Sequence, residues 1–282
     1  MKILITGSNG QLGYDVVKTL QYKNKHELIT PHRGEMDLSK KDSIENFTNK
    51  YDFDAVLHLA AYTEVDKAET EKELCFNVNK DATITLMNIA KKKNAKFLFI
   101  STDYVFDGTA NEPYKTFFKK NPLNIYGKSK SFAEDEIVKE YYERSFIVRT
   151  STVIGQKGNN FIKTMLKVAE GKKEVNVVSD QVSSPTFTFD LSPLLIKIIE
   201  SDEYGFYHAC NEGSVSKSDL IRKTYSILGI KTVVNDIKSI NYPTPALRPL
   251  YSVLNTQTLR ARGFKQLPNY EESLKKHLMN IC

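Results

Sequence analysis

Residues 2–22, KILITGSNGQLGYDVVKTLQY, decide the fold. KILIT (2–6) is a short apolar run closed by glycine, whereas QLGYDVVKTLQY (11–22) carries its apolar residues at helical spacing. Between them stands Gly7-Ser8-Asn9-Gly10-Gln11-Leu12-Gly13. A buried strand that passes through a glycine-rich turn into a helix predicts the opening of a βαβ unit. Glycines allow the tight turn, and they let backbone N–H groups approach a phosphate that the helix N-terminus also favours.

The alternation continues outward from there. HELIT (26–30), AVLHLA (55–60), KFLFIS (96–101) and SFIVRT (145–150) read as strands. Helical patterns lie between them at 43–51, about 73–93 and about 125–143. Strands and helices in this rhythm predict a doubly wound, Rossmann-like α/β fold whose parallel sheet is covered on both faces. Beyond residue 150 the rhythm loosens. Helices are expected at 158–171, 189–200, 217–229 and near 270–280, with strands at 175–178 and 205–210 and a proline-marked loop at Pro243, Pro245 and Pro249. The expected organisation is a dinucleotide-binding domain over 1–151, completed by part of 186–210, and a smaller mixed α/β substrate lobe over 152–282.

Composition narrows the function classes. The 282 residues are 40% hydrophobic and 26% charged, with a net charge of +6. The lysines stand in scattered groups rather than one basic stripe, which argues against nucleic acid as partner. No apolar run approaches the length of a membrane span, and MKILITGSNG lacks the apolar core of a signal peptide. Cys75, Cys210 and Cys282 have neither metal-ligand spacing nor a disulfide framework. A soluble cytoplasmic protein is the expectation.

The glycine spacing is G-x-x-G-x-x-G, and the strand–turn–helix context points to a dinucleotide. An acidic residue closing the second strand would hold the adenosine ribose of NAD. That position reads Thr30-Pro31-His32-Arg33, with no carboxylate until Glu35. Arg33 would pair with a 2′-phosphate, which makes NADPH a reasonable cofactor, alongside NADH; the alternative is a solvent-exposed loop arginine. The strand at 96–101 leads into Ser101-Thr102-Asp103-Tyr104, and ligands collect at the carboxyl ends of parallel strands. Tyr126 and Lys130 open the next helix four residues apart, on one face. Hydride transfer to a carbonyl needs a proton for the developing alkoxide. A lysine cation beside Tyr126, together with the positive charge of oxidised nicotinamide, would lower its pKa from about 10, and Thr102 would hydrogen-bond the carbonyl oxygen.

With these pieces in order, the chain resembles the extended short-chain dehydrogenase/reductase superfamily, and most closely the dTDP-4-dehydrorhamnose reductase family. The resemblance is carried by GSNGQLG (7–13), AAYTEVDKAE (60–69), STDYVFDG (101–108), NIYGKSK (124–130), RTS (149–151), GNNFIKTML (158–166), SDQVSSPT (179–186) and RPLYSVLNT (248–256). It implies Thr102, Tyr126 and Lys130 as catalytic triad, with Lys130 also holding the nicotinamide ribose. Gly10, Gln11 and Leu12 would contact the cofactor pyrophosphate, with Gly7 and Gly13 also in the cofactor site. Asp37 and Leu38 would border the adenine, and Ala61, Tyr62 and Thr63 the cofactor beside the third strand. Val65, Asp103 and Tyr104 would lie against a dTDP-sugar, with Asn159, Asn160, Gln181 and Arg248 as candidates for its diphosphate and base. Some members bind Mg²⁺ at a dimer interface through acidic residues, for which Asp15, Asp190 and Glu271 are the candidates; the alternative is three solvated acids. A homodimer is an associated expectation.

The implied activity is NAD(P)H-dependent reduction of dTDP-4-dehydro-L-rhamnose to dTDP-L-rhamnose. Alternatives are a reductase of another nucleotide 4-keto-6-deoxy sugar, or a non-catalytic NADP-binding regulatory subunit. Three departures from the family pattern bear on which sugar fits: Thr152 stands where tryptophan is usual, FAED (132–135) replaces an AGE-like segment, and Ser183 replaces a glycine.

Overall fold

The computed structural model describes residues 1–280, so Cys282 lies outside the described residues. The first five strands are β1 (Lys2–Thr6), β2 (Glu27–Ile29), β3 (Ala55–His58), β4 (Lys96–Thr102) and β5 (Ser145–Thr150). With Gly205–His208 they form one six-stranded sheet in the order Gly205–His208, β5, β4, β3, β1, β2. Every pairing in it is parallel. The chain leaves β1 toward one edge and returns to the other side through β3, so the topological switch lies between these two strands.

Period-two alternation sends β-strand side chains to opposite faces. Ile3, Ile5, Leu57, Leu98 and Val148 therefore pack under α1 (Gln11–Lys23) and the helix Thr188–Glu200. Leu4, Val56, Phe97, Phe99 and Ile147 pack on the other face under the helices Lys41–Thr48, Ala82–Lys92 and Ile125–Tyr141. Both faces are dry, as near-continuous apolar strands require. Two smaller cores serve the C-terminal half: one joins Ile154, Ile162, Phe187, Leu220 and Leu274, the other Met165, Val175, Val177, Ile221 and Tyr225. No described helix is long and apolar enough to cross a membrane.

Several elements differ from their sequence expectation. The helix expected over 43–51 runs Lys41–Thr48. The one expected from 158 begins at Phe161, because the Asn160 side chain caps it by accepting from Lys163 N–H at 3.1 Å. Val233–Ile237 is a strand that pairs with Glu174–Val178; its interior Asn235 and Asp236 hide the alternation. The long helix expected from 73 to 93 is divided into Lys72–Phe76, a π turn at Asn77–Asp81 and Ala82–Lys92. A π turn inserts a residue into the helical repeat and is frequent at functional sites.

One buried network ties the helix Ile125–Tyr141 to the sheet. Tyr126, Lys130 and Glu134 follow one another at four-residue intervals, on one face. Glu134, fully buried, accepts from Arg149 Nε at 2.8 Å and Nη2 at 2.7 Å, and from Ser101 Oγ at 2.6 Å. Arg149 is itself buried on β5, between the rings of Phe106 and Phe206, and donates to Thr116 O at 2.9 Å. Burial alone would raise the Glu134 carboxyl, but Arg149, Lys120 and Ser101 hold it below the usual carboxylate range. Removing one partner of such a pair strands the other's charge in an apolar interior. Arg149→Met is expected to cost about 3–5 kcal/mol in urea denaturation followed by circular dichroism. Adding Glu134→Leu to Arg149→Met should restore much of the loss; a double variant no more stable than Arg149→Met would refute this account.

Candidate active site

At the carboxyl end of β1 the chain turns through Gly7, whose φ of 71° lies in the left-handed region. A β-carbon there would sit 2.7 Å from Ala60 N, after β3. One on Gly13 would lie 2.0 Å from Gly7 O, so α1 starts directly against the turn. Gly10 precedes α1, and no described side chain caps it, which leaves the first helical amides for an anion. The turn separates two cavities that share Gly7, Gly10, Ala60 and Ala61. The first, about 340 Å³, is also lined by His32, Arg33, Asp37, Leu38 and Tyr62. The second, about 610 Å³, holds Gln11, Leu12, Gly13, Thr63, Val65, Thr102, Asp103, Tyr104, Tyr126, Lys130 and Asn159. The two volumes lie on either side of the switch point, where open parallel sheets take dinucleotides.

In the first cavity Arg33 is exposed. The nearby carboxylates are turned to the chain itself. Glu35 accepts from His32 N–H at 2.8 Å. Asp37 accepts from the Ser39 hydroxyl at 2.8 Å and from its N–H at 3.0 Å, which holds its carboxyl below the usual range.

In the second cavity Thr102 ends β4, and its Oγ1 accepts from Tyr104 N–H at 3.1 Å. Asn124 caps the next helix through Gly127 N–H at 2.8 Å. Gly127 lets that helix seat on the turn after β4, since a β-carbon would meet Tyr104 O at 2.2 Å. This contact brings Tyr126 beside Thr102, with Tyr104 edge-on to its ring at 6.1 Å between centroids. Lys130 is 2% exposed, with Nζ 4.0 Å from the centroid of the Phe99 ring. Burial lowers its pKa to about 7, opposed by Glu134 and Cys75.

In the chain by itself the Tyr126 pKa is raised rather than lowered. Burial pushes the Tyr126 hydroxyl well above its usual value, the Thr102 hydrogen bond only partly offsets this, and Lys130 is not among the largest influences on it. Lys130 is sunk between helix and sheet, over Phe99. A tyrosine in this state keeps its proton, which is the form needed to protonate an oxygen held at Thr102.

Two residues support the site from behind. Asn79, in the π turn, accepts from Tyr62 N–H at 2.7 Å and donates to Tyr62 O at 3.0 Å and Ser129 Oγ at 3.0 Å. It fixes the Ala61–Thr63 loop against the helix that carries Tyr126; its only sequence signal is a polar residue at a core position. Asp103, expected against a sugar, is buried, with Oδ2 accepting from Ser151 and Ser252 at 2.6 Å each. It clasps the ends of β4 and β5 to the C-terminal loop.

The remaining candidates divide by their partners. Asn160 is occupied as a cap and donates to Gly155 O at 2.9 Å, while Gln11 accepts from Gly155 N–H at 3.0 Å and so ties the glycine turn to the second lobe. Gln181 and Arg248 line a third cavity, on the far side of Val65. Thr152 faces the second cavity with φ 41°, a strained conformation for a β-branched residue. Its Oγ1 lies 2.8 Å from Ser183 Oγ, so two of the three departures touch each other. Phe132, the third, is half-exposed on the outer helix face against Phe76, away from the cavity.

Within one chain the three carboxylates expected for Mg²⁺ do not gather, and each is engaged by a protein partner. Asp15 is bonded by the Thr188 hydroxyl. Asp190 accepts from Asn211 at 2.8 Å and Ser273 at 2.5 Å, and Glu271 pairs with Lys223. Among the described residues no group of three or more His, Cys, Asp or Glu gathers for a metal. Their sequence positions near family motifs gave no view of these donors.

The family model for the RmlD substrate binding domain matches residues 1–282. The chain is 34% identical to a dTDP-4-dehydrorhamnose reductase of Aggregatibacter actinomycetemcomitans, over 97% of each protein. It is also 34% identical to the spore coat polysaccharide biosynthesis protein SpsK of Bacillus subtilis, over 98% of this chain and 96% of that one. Among solved structures, a dTDP-4-dehydrorhamnose reductase of Clostridium acetobutylicum has a TM-score of 0.95 at 37% identity, over 100% and 99% of the two chains. That of Bacillus anthracis, in complex with NADP, has a TM-score of 0.94 at 35% identity, over 99% of both.

The glycine geometry makes a direct prediction. Gly13→Ala forces the turn away from α1, and the strain of such overpacking is about 1–3 kcal/mol. Titration of NADPH, followed by its fluorescence, should show binding weakened by about tenfold or more; unchanged affinity would show that the turn does not seat the dinucleotide.

Proposed function

Because this chain belongs to the RmlD substrate-binding-domain family, we propose that it is an NAD(P)H-dependent oxidoreductase that reduces the 4-keto group of dTDP-4-dehydro-L-rhamnose to dTDP-L-rhamnose, in the cytoplasm, as the last step of dTDP-rhamnose synthesis for cell-surface polysaccharide. The observation that carries this reading is the gathering of Thr102, Tyr126 and Lys130 in one cavity with the glycine turn. Relatives named for this reaction, similar over nearly their whole length, support the substrate.

The fit of a dinucleotide rests on the uncapped start of α1, the close approach of Gly7 to Ala60 and the two cavities meeting at the turn. When bound, the reduced nicotinamide supplies a hydride to the carbonyl carbon. Thr102 Oγ1 holds the carbonyl oxygen, and Tyr126 Oη delivers its proton to that oxygen as negative charge develops. Lys130, near neutrality in its pKa, lies one helical turn beyond Tyr126 and is charged or neutral according to what it faces. Arg33 suits a 2′-phosphate, and the inward turn of Glu35 and Asp37 favours NADPH over NADH. The lobes divide in this reading into a dinucleotide-binding part, 1–151 with part of 186–210, and a sugar-nucleotide part drawn mainly from 152–282.

A second reading keeps the chemistry and changes the sugar. It is favoured by one observation, the Thr152–Ser183 hydroxyl pair at the cavity wall where an aromatic is usual for the family. The test of both is oxidation of NADPH and NADH, followed by absorbance, with dTDP-4-dehydro-L-rhamnose as substrate and the product configuration determined. Tyr126→Phe is expected to lower turnover by about 10²–10⁴-fold with dinucleotide affinity retained. Wild-type turnover no greater than that of Tyr126→Phe would refute the assignment, and a different product configuration would favour the second reading.

A further inference from the structure

Hydroxyl side chains follow one another where β5 ends, on Thr150, Ser151 and Thr152, and they have different fates. Thr150 is buried and donates to Thr186 Oγ1 at 3.0 Å. Ser151 is buried and donates to the Asp103 carboxylate at 2.6 Å. The hydrogens of both are spent inside the protein. Thr152 lines the second cavity with Thr102 and Tyr126, and its side chain has one described partner, Ser183 Oγ at 2.8 Å. A hydroxyl carries one hydrogen and two acceptor positions, so a hydrogen is left over in this pair whichever member donates. Thr152 can therefore offer the cavity either a donor or an acceptor.

The placement is held against the preference of the backbone. Thr152 has φ 41°, and a β-branched residue in the left-handed region is strained. Its surroundings impose that conformation. Thr186 N–H donates to Thr152 O at 3.1 Å, and Val153–Ile154, just beyond, pairs with Thr186–Phe187. Ser183 is fixed in turn by the antiparallel pairing of Val182–Ser183 with Val215–Ser216. Glycine or asparagine would suit this backbone better, so a threonine kept here points to a use for its side chain at the cavity.

The sheet says where that use lies. Thr150 stands beside Thr102 in the β4–β5 register, and Thr152 is two residues further, roughly 7 Å along an extended chain. A pyranose ring whose carbonyl is held at Thr102 and Tyr126 brings a neighbouring ring carbon within reach of the Thr152 hydroxyl. In a 4-keto-6-deoxyhexose one flanking carbon, C3, carries a hydroxyl and the other, C5, a methyl. A pair of hydroxyls suits the first. Resting on the function proposed above, we propose that Thr152 is a specificity-determining residue: its hydroxyl, positioned by Ser183, hydrogen-bonds the C3 hydroxyl and selects sugars hydroxylated beside the carbonyl.

The test is calorimetric titration of the full chain, with NADP⁺ present, using dTDP-L-rhamnose and its 3-deoxy analogue. Wild type is expected to bind the hydroxylated sugar about three- to tenfold more tightly, as one net hydrogen bond allows. Thr152→Val keeps the branched shape without the hydroxyl and should bring that ratio below about twofold. Ser183→Ala should lower it too, and Thr152→Ser should retain it, with NADPH affinity unchanged in every variant as the measure of folding. Thr152→Gly should lose the preference yet unfold at the wild-type temperature or above, because the strain is released; a purely structural residue would lower the midpoint instead. A wild-type ratio below about twofold, or a Thr152→Val variant with the wild-type ratio, would overturn the inference. Reduction of dTDP-4-dehydro-L-rhamnose, followed separately by NADPH absorbance, keeps the two proposals apart. Reduction with a ratio indifferent to Thr152 sinks the specificity assignment alone. A Thr152-dependent ratio without any reduction sinks the function and leaves this sugar contact standing.

Discussion

The Glu134–Arg149 ion pair is the constraint on which the active site depends. Two full charges are removed from water there, and such a pair is tolerated only when every remaining donor and acceptor finds a partner. Ser101, Thr116 and Lys120 supply those partners, from β4 and the segment that follows it. Glu134 stands two helical turns beyond Tyr126 and one beyond Lys130. Anchoring it to β4 and β5 therefore sets the height of both candidate catalytic side chains above the sheet, and Gly127 sets the distance by letting the helix touch the Tyr104 carbonyl. Precision comes from the packed elements rather than from the loops.

The same burial shapes the chemistry. A site sunk this far makes every charge costly, and its residues answer by shifting their proton equilibria: Tyr126 holds its proton more tightly, whereas Lys130 holds its own less tightly. His58, bonded to Thr6 at 2.7 Å and Thr83 at 3.0 Å, is kept neutral by burial, with its pKa near 3. Neutral His58 lets β1, β3 and the helix Ala82–Lys92 close without adding a cation beneath Lys130.

Much of this was legible in the sequence, for physical reasons. Apolar strands such as KILIT and KFLFI can be buried on two faces only in a covered parallel sheet, and the glycine turn can have its shape only where a helix begins against a strand. Tyr126 and Lys130 were legible because their spacing matches one helical face, and Thr102 because it ends a strand. What stayed hidden depends on partners distant in the chain. Asn79 acts through a π turn that a 3.6-residue repeat conceals, and Thr152 through Ser183, thirty-one residues away. Asp15 and Asp190 read as free acids because Thr188, Asn211 and Ser273, which satisfy them, are far off in sequence. The effect of burial on Tyr126 stayed hidden because spacing shows a neighbour's charge but not the loss of water.

The edge strand Gly205–His208 has a consequence for how the molecule is made. It lies beside β5 and completes the main sheet, and the core beneath holds Leu191, Leu195 and Ile198 from the preceding helix together with Leu259 and Leu267. The half that carries β1 to β5 therefore has an open sheet edge and a bare apolar face until the ribosome has delivered more than two hundred residues. During synthesis β1 to β5 must wait, exposed to association with other chains, for a strand encoded beyond the first lobe. The first lobe is therefore not an independent folding unit that could be exchanged or inherited alone.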